Sequence, residues 1–232
     1  MKLDILDAYN IRARLSPSVI LLGPVALTIF FCFEGLYSIV TSAVTISILL
    51  ALTNYVPILQ RCLTPPNKIS ENYVVKYLDF GDPTIDSISK DRYYKKLARL
   101  DKTFSGFNTP SSSLEFHNLC ESAVLYLRNN TRDNHLVLEE NINCGFCKNL
   151  LIDKKIGIVI NICLALFTCI YSISTYGSVA DIPSRNILSF GINIFFVLFW
   201  MFGITKKMLE EASKRYAYTL IAAIDSIPIK KD

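Results

Sequence analysis

Ile156–Tyr176 reads IGIVINICLALFTCIYSISTY, a run without a single Lys, Arg, Asp or Glu. As a helix it would measure about 31 Å, the thickness of a bilayer's hydrocarbon core. Three other runs share its character: Leu15–Phe33, Leu36–Val56 and Ile187–Ile204. A chain of 232 residues has too little polar sequence to wrap four such helices in a soluble shell. The mean hydropathy of +0.35 agrees. The expected fold is an all-α membrane protein. Two transmembrane helical hairpins, four spans in all, flank a mainly helical cytoplasmic domain.

Charge placement orients the chain. Of its 24 Lys and Arg, Arg185 alone falls in a hairpin turn. Lys2, Arg12 and Arg14 precede the first run, and Arg61 follows the second. Lys154 and Lys155 precede the third, and Lys206 and Lys207 follow the fourth. The positive-inside rule puts both termini and the middle segment in the cytoplasm. Leu15–Phe33 reads as a span rather than a cleaved leader, because it exceeds a signal core and a second run follows at once. The seven cysteines then lie mostly where thiols stay reduced, and no disulfide framework is expected.

Five segments follow. Residues 1–14 form an amphipathic N-terminal helix, with Leu3, Leu6 and Tyr9 at helical spacing. Residues 15–60 and 156–204 are the two hairpins, the first starting with Pro17 in its opening turn. Residues 61–155 are the cytoplasmic domain, and 205–232 a C-terminal helix with Met208, Ala212, Tyr216 and Leu220 in steps of four. Within the domain, Asn72–Phe80 reads as a strand or an extended linker. A helix from Ser87 to about Thr103 carries Tyr93, Leu97, Leu100 and Phe104 on one arc. Arg92, Lys95, Lys96, Arg99 and Lys102 share the opposite arc. That arc suits anionic headgroups or a nucleic-acid backbone, or is a solvated face. A capping box, Ser112 and Glu115, opens the next helix, whose core face is Phe116, Leu119, Cys120, Ala123 and Leu127. A third helical stretch runs from His135 to about Leu151.

His117 with Cys120, and Cys144 with Cys147, have the residue types and pair spacing of zinc ligands. Structural thiols are the plainer reading, because Cys120 falls on an apolar helix face. No cofactor is expected. The spans hold no carboxylate, His or Lys, which disfavours an ion-coupled pump or an intramembrane enzyme. Asn161, Asn193, Thr45 and Ser47 read as interhelical hydrogen-bond partners, and Gly23, Gly191 and Gly203 as points of close helix approach. No phosphate loop, nucleophile elbow or paired-carboxylate site is present, so the expectation is a non-enzyme.

Three stretches carry a resemblance. They are Tyr9-Asn10-Ile11-Arg12-Ala13-Arg14, Arg128-Asn129-Asn130-Thr131-Arg132-Asp133, and Glu140-Asn141 leading to Gly145-Phe146-Cys147-Lys148-Asn149-Leu150. Together they resemble a family of small bacterial inner-membrane proteins associated with anti-phage defence, including the transmembrane effectors of retrons. Where that pattern has Tyr before Gly145 and Arg after Phe146, this chain has Cys144 and Cys147, which weakens the zinc reading. The resemblance implies an abortive-infection toxin that disrupts the inner membrane when released by a cytoplasmic partner. In retrons that partner is a reverse transcriptase with its msDNA. Tyr9, Asn10, Arg12, Arg14, Thr131, Arg132, Asp133, Asn141, Gly145, Phe146 and Asn149 match the pattern, and Arg132 joins the basic arc as a candidate partner contact. A homo-oligomer is a further possibility. The competing expectation is a non-catalytic membrane scaffold that recruits a cytoplasmic complex.

Overall fold

The computed structural model describes residues 8–33, 72–108 and 113–229. The expected span Leu36–Val56, the residues before Ala8, Ser112 of the capping box, and Thr45 and Ser47 lie outside them. Among the described residues every regular element is helical. They are α1 (Ser16–Cys32), α2 (Tyr73–Leu78), α3 (Ser87–Leu100), α4 (Ser113–Asn130), α5 (His135–Tyr176), α6 (Ser184–Leu198) and α7 (Lys206–Ala222). Among the described residues three helices are long and apolar enough to cross a bilayer: Asn10–Cys32, which includes α1, then α5, and Ser184–Gly203, which includes α6.

The chain forms two compact units. The first comprises residues 1–68 and 145–208, and the second residues 69–144 and 209–232. The long helix α5 contributes residues to each.

The first unit is built inside out. Along α5 the buried positions are Leu150, Asp153, Gly157, Asn161, Ala165, Thr168 and Ser172. Their steps of three and four trace one narrow stripe of small and polar residues. The faces between them expose Val159, Leu166, Ile170 and Ile173. A soluble helix buries its apolar face; this arrangement suits a helix whose solvent is lipid, where small residues let backbones meet and polar ones join helices.

The first helix differs from expectation at its start. It does not begin at Pro17 but runs into α1 from a π-helical turn, Asn10–Leu15. There the Ser16 N–H reaches back five residues to the Ile11 carbonyl, because Pro17 cannot supply the next ordinary α-helical donor. At the far end, α6 also loosens into a π-helical turn, Phe199–Gly203.

The second unit has an ordinary apolar core. Leu78, Tyr93, Leu97, Phe104, Leu127, Leu220, Ile221 and Ile224 are buried in it together. The apolar arcs expected for α3 and α4 face this core, and the C-terminal helix α7 adds Ala217, Leu220 and Ile221. The strand expected at Asn72–Phe80 is instead the helix α2. Its Val, Tyr and Phe content favours a strand, but Val74, Val75 and Leu78 meet the core only at helical spacing, so burial overrides propensity. The carbonyls at its end are collected by buried side chains: Lys90 Nζ donates to Asp79 O and Asp82 O, and Tyr94 Oη to Leu78 O. Burial pulls the Lys90 ammonium below the usual lysine range, against the pull of Asp82 and Asp79.

Among the described residues nothing comes within 4 Å of a Cβ at Gly23 or Gly191. The Gly203 neighbour is the Phe199 ring of its own turn. The tight glycines are Gly145 and Gly157.

Candidate functional site: a buried polar seam

The most concentrated chemistry in the first unit lies between α1, α5 and α6. At the Gly177 turn end, Asn186 Nδ2 donates to Ser172 Oγ at 3.0 Å. One level on, Cys32 Sγ lies 3.9 Å from both Thr168 Oγ1 and Ser189 Oγ. Thr28 Oγ1 then accepts from Asn193 Nδ2 at 2.8 Å and from Ser189 Oγ at 3.5 Å. Deepest, Asn161 Nδ2 donates to the Gly157 carbonyl at 2.7 Å, where Trp200 lies against Gly157. Thr28, Asn161, Thr168, Ser172, Asn186, Ser189 and Asn193 each expose 3% of their surface or less.

From Asn186 to Trp200 the seam follows α6 and its π turn for about 20 Å. Neither this stretch nor the facing residues of α1 and α5 down to Gly157 carries a charged side chain. Among the described residues, three amide oxygens in it, Asn161 Oδ1, Asn186 Oδ1 and Asn193 Oδ1, are buried without a donor, and the Trp200 indole N–H is buried without an acceptor. Beside Asn186, Ser172 and Thr168 lies an open, mostly apolar groove of about 210 Å³ whose other walls include Ile173, Val179 and Phe190.

The base of the seam is fixed by charge. Lys154 Nζ donates to the carbonyls of Met201 and Ile204 at 2.9 and 2.7 Å. These groups end the α6 helix, where orphan carbonyls and the helix dipole favour a cation. Asp153, beside it in sequence, is fully buried.

Two of the quoted sequence stretches meet in this unit. Gly145 leaves room for Tyr9 and Ala13: a Cβ there would stand 2.9 Å from Tyr9 Oη and 3.1 Å from Ala13 Cβ. Asn149 Nδ2 donates to the Ala13 carbonyl at 2.6 Å. That carbonyl lies four residues before Pro17, which has no N–H to give it. Arg14 bonds Asn10 Oδ1 at 2.7 Å and covers the Tyr9 ring at 5.2 Å. Phe146 packs with Leu21, Leu150 and Trp200 in the apolar cluster below the seam. Arg12 is exposed.

The third stretch turns the chain from α4 into α5 in the second unit. Thr131 is buried and bonds the Leu127 carbonyl at 2.8 Å through its hydroxyl. Arg132 bonds Asn129 Oδ1 at 3.2 Å, and Asp133 is exposed. Asn134 caps α5 by accepting from the Leu136 and Val137 N–H groups. Asn141 is half-buried on that helix.

The basic arc of α3 is partly used within its own unit. Arg92 pairs with Asp225 at 2.7 Å, and Lys96 bonds the Asp225 carbonyl at 2.6 Å, so the two cations hold the turn Ala223–Ser226. Lys95 pairs with Asp91 on its own helix. Arg99 and Lys102 are exposed and form no ion pair among the described residues.

The candidate zinc set does not assemble. Among the described residues no three His, Cys, Asp or Glu side chains converge. His117 is exposed and faces Glu121 at 3.6 Å. Cys120 is buried, and burial pushes its thiol up to about 12, away from the thiolate a metal requires. Cys144 lies 3.5 Å from the Ser213 hydroxyl.

Sequence reasoning named Asn161 and Asn193 but missed Thr28, Ser172, Asn186 and Ser189, and missed Asp153. A tally of polar residues at three- and four-residue steps would have flagged the stripe on α5. Compared with models of known families, with curated proteins and with solved structures, the chain matches none.

Proposed function

We propose that this chain is a membrane-embedded effector that permeabilises its bilayer when a cytoplasmic partner no longer restrains it. The buried polar seam carries this reading. Closed, the seam is a set of rungs that join α1, α5 and α6 while the exposed faces of these helices are mostly apolar. Parted, the same helices expose a strip of hydroxyl and amide groups that must find water, because bare polar groups in hydrocarbon cost several kcal/mol each. Interhelical hydrogen bonds in membranes contribute only about 0.6–2 kcal/mol apiece. A few rungs therefore hold the seam with an energy that a partner's differential affinity for the two states can supply or remove.

The charge pattern supports an inner-membrane protein with both termini and the second unit in the cytoplasm. The resemblance of Tyr9–Arg14, Thr131–Asp133 and Gly145–Asn149 to retron effectors supports a restraining reverse transcriptase with msDNA and a role in abortive infection. Arg99, Lys102 and Arg132 are among the exposed cations that could meet such a polyanion.

The test is inner-membrane potential, read by dye, and propidium uptake in cells expressing the chain with and without its neighbouring genes. Depolarisation confined to cells that lack the neighbours, or that meet phage, is the expected result, and Asn193→Leu should alter its onset. A membrane intact in every condition would overturn the proposal in favour of a non-catalytic scaffold.

A further inference from the structure

We infer that the corner of the first unit where α6 ends and α7 begins, together with Lys155 of α5, holds the headgroup of an acidic phospholipid. This needs the bilayer but not the permeabilisation reading.

The exposed stripe of α5 is Val159, Ile162, Leu166, Ile170 and Ile173, at steps of three and four. One further step of four, back toward the start of the apolar run, is Lys155, also exposed. A lysine that continues a lipid-facing stripe past its apolar end reaches the headgroup layer. The far end of α6 repeats the pattern. Leu198, Met201 and Phe202 are exposed, the last at 71%, and the exposed Lys206 and Lys207 follow them. Lys154 brings the two helix ends together. Its Nζ lies 2.7 Å from the Ile204 carbonyl, and Lys206, two residues on, has its Cα within about 8 Å of that of Ile204.

Charge at this corner is one-sided. Among the described residues Lys155, Lys206 and Lys207 form no hydrogen bond or ion pair. Asp153 is fully buried. The first turn of α7 holds no acidic residue, and Glu210 and Glu211 face Lys214 at 2.7 and 3.4 Å. Two lysines in the first turn of a helix oppose its dipole, whose positive end favours an anion. The carbonyls that end α6 would repel an anion, but Lys154 covers those of Met201 and Ile204. The corner therefore favours a phosphate. The bare apolar surface beside it, Phe202 above all, favours a phosphate that carries acyl chains over inorganic phosphate or a nucleic-acid backbone. Basic pockets beside spans bind acidic headgroups on these terms.

The experiment offers the purified full-length chain, in detergent micelles, phosphatidylglycerol and phosphatidylcholine with identical acyl chains at equal concentration. Native mass spectrometry reads which lipid is retained. Phosphatidylglycerol should be retained in preference. Lys155→Gln and Lys206→Gln should each lower that preference about fivefold, the weight of one cation at an anionic surface, and Lys155→Arg should keep it. Arg215→Gln removes an exposed cation nine residues beyond Lys206 on α7, about 14 Å along the helix, and should leave the preference unchanged. Equal retention of the two lipids overturns the inference. So does a loss in Arg215→Gln as large as that in Lys155→Gln, which would reduce the preference to net charge. Abolition of the preference by inorganic phosphate at the lipid's concentration overturns the choice of a lipid. None of these outcomes touches permeabilisation, which the membrane-potential test decides by itself.

Discussion

Asn149 should owe its importance to Pro17. A proline cannot donate to the carbonyl four residues earlier, so Ala13 O lacks its ordinary helical donor, and Asn149 Nδ2 stands 2.6 Å away from it. Asn149→Leu preserves size and removes that donor, leaving a carbonyl beside the buried Ala13 unsatisfied by it. The expected cost is about 1–3 kcal/mol, the penalty of an unmet buried acceptor. In a Pro17→Ala background the backbone N–H returns, the carbonyl has a second donor, and Asn149→Leu should cost roughly 0.5 kcal/mol or less. The coupling between the two positions is therefore about 1 kcal/mol or more, which a double-mutant cycle resolves for residues sharing one partner. The chain has one tryptophan, Trp200, fully buried in the same unit. Its fluorescence reports equilibrium unfolding in mixed micelles for all four proteins. Equal costs for Asn149→Leu in both backgrounds would refute the reasoning.

Three other outcomes are expected. Gly157→Ala would place a Cβ 2.5–2.7 Å from atoms of the Trp200 ring; the ring must move, at about 1–3 kcal/mol, and Trp200 emission and thermal stability should both shift. The folded chain holds the Cys120 proton up to about pH 12 while the unfolded thiol releases it near 9.0. Between those values the folded state binds more protons, so stability of the second unit should fall as pH rises, with no Cys120 contribution to the slope below pH 9. Cys120→Ala should flatten the fall, as read by urea unfolding at a series of pH values. Asp225→Ala removes the Arg92 partner of a solvated pair, so stability should drop by only about 0–1 kcal/mol, while retention on anionic vesicles or single-stranded DNA rises if the α3 arc is a polyanion surface. Unchanged retention would assign that arc to holding the Ala223–Ser226 turn.

Much of the secondary structure is legible because its signals are local. The run Ile156–Tyr176 states its own length and polarity, the apolar and basic arcs of α3 follow from a 100° step, and α4 shows its core face in the same way. Asn72–Phe80 fails this treatment, since its β-branched and aromatic residues favour a strand locally and only the surrounding core makes it a helix. The zinc set fails for a related reason. Ligand spacing along a chain says nothing about whether a helix turns Cys120 into an apolar core while His117 faces water.

That helices dominate, which of the apolar runs can cross a bilayer, and where the cations stand around them all follow from the order of the residues. Composition and period are properties of contiguous residues, and lipid or water selects on them directly. Packing sets the rest: Thr28 answers Asn193, Asn186 answers Ser172, and Asn149 answers a carbonyl left open by Pro17. A polar side chain in an apolar helix must find a partner, but which partner depends on the rotation and register of helices whose paired residues lie from 14 to 165 positions apart, and no local signal encodes that.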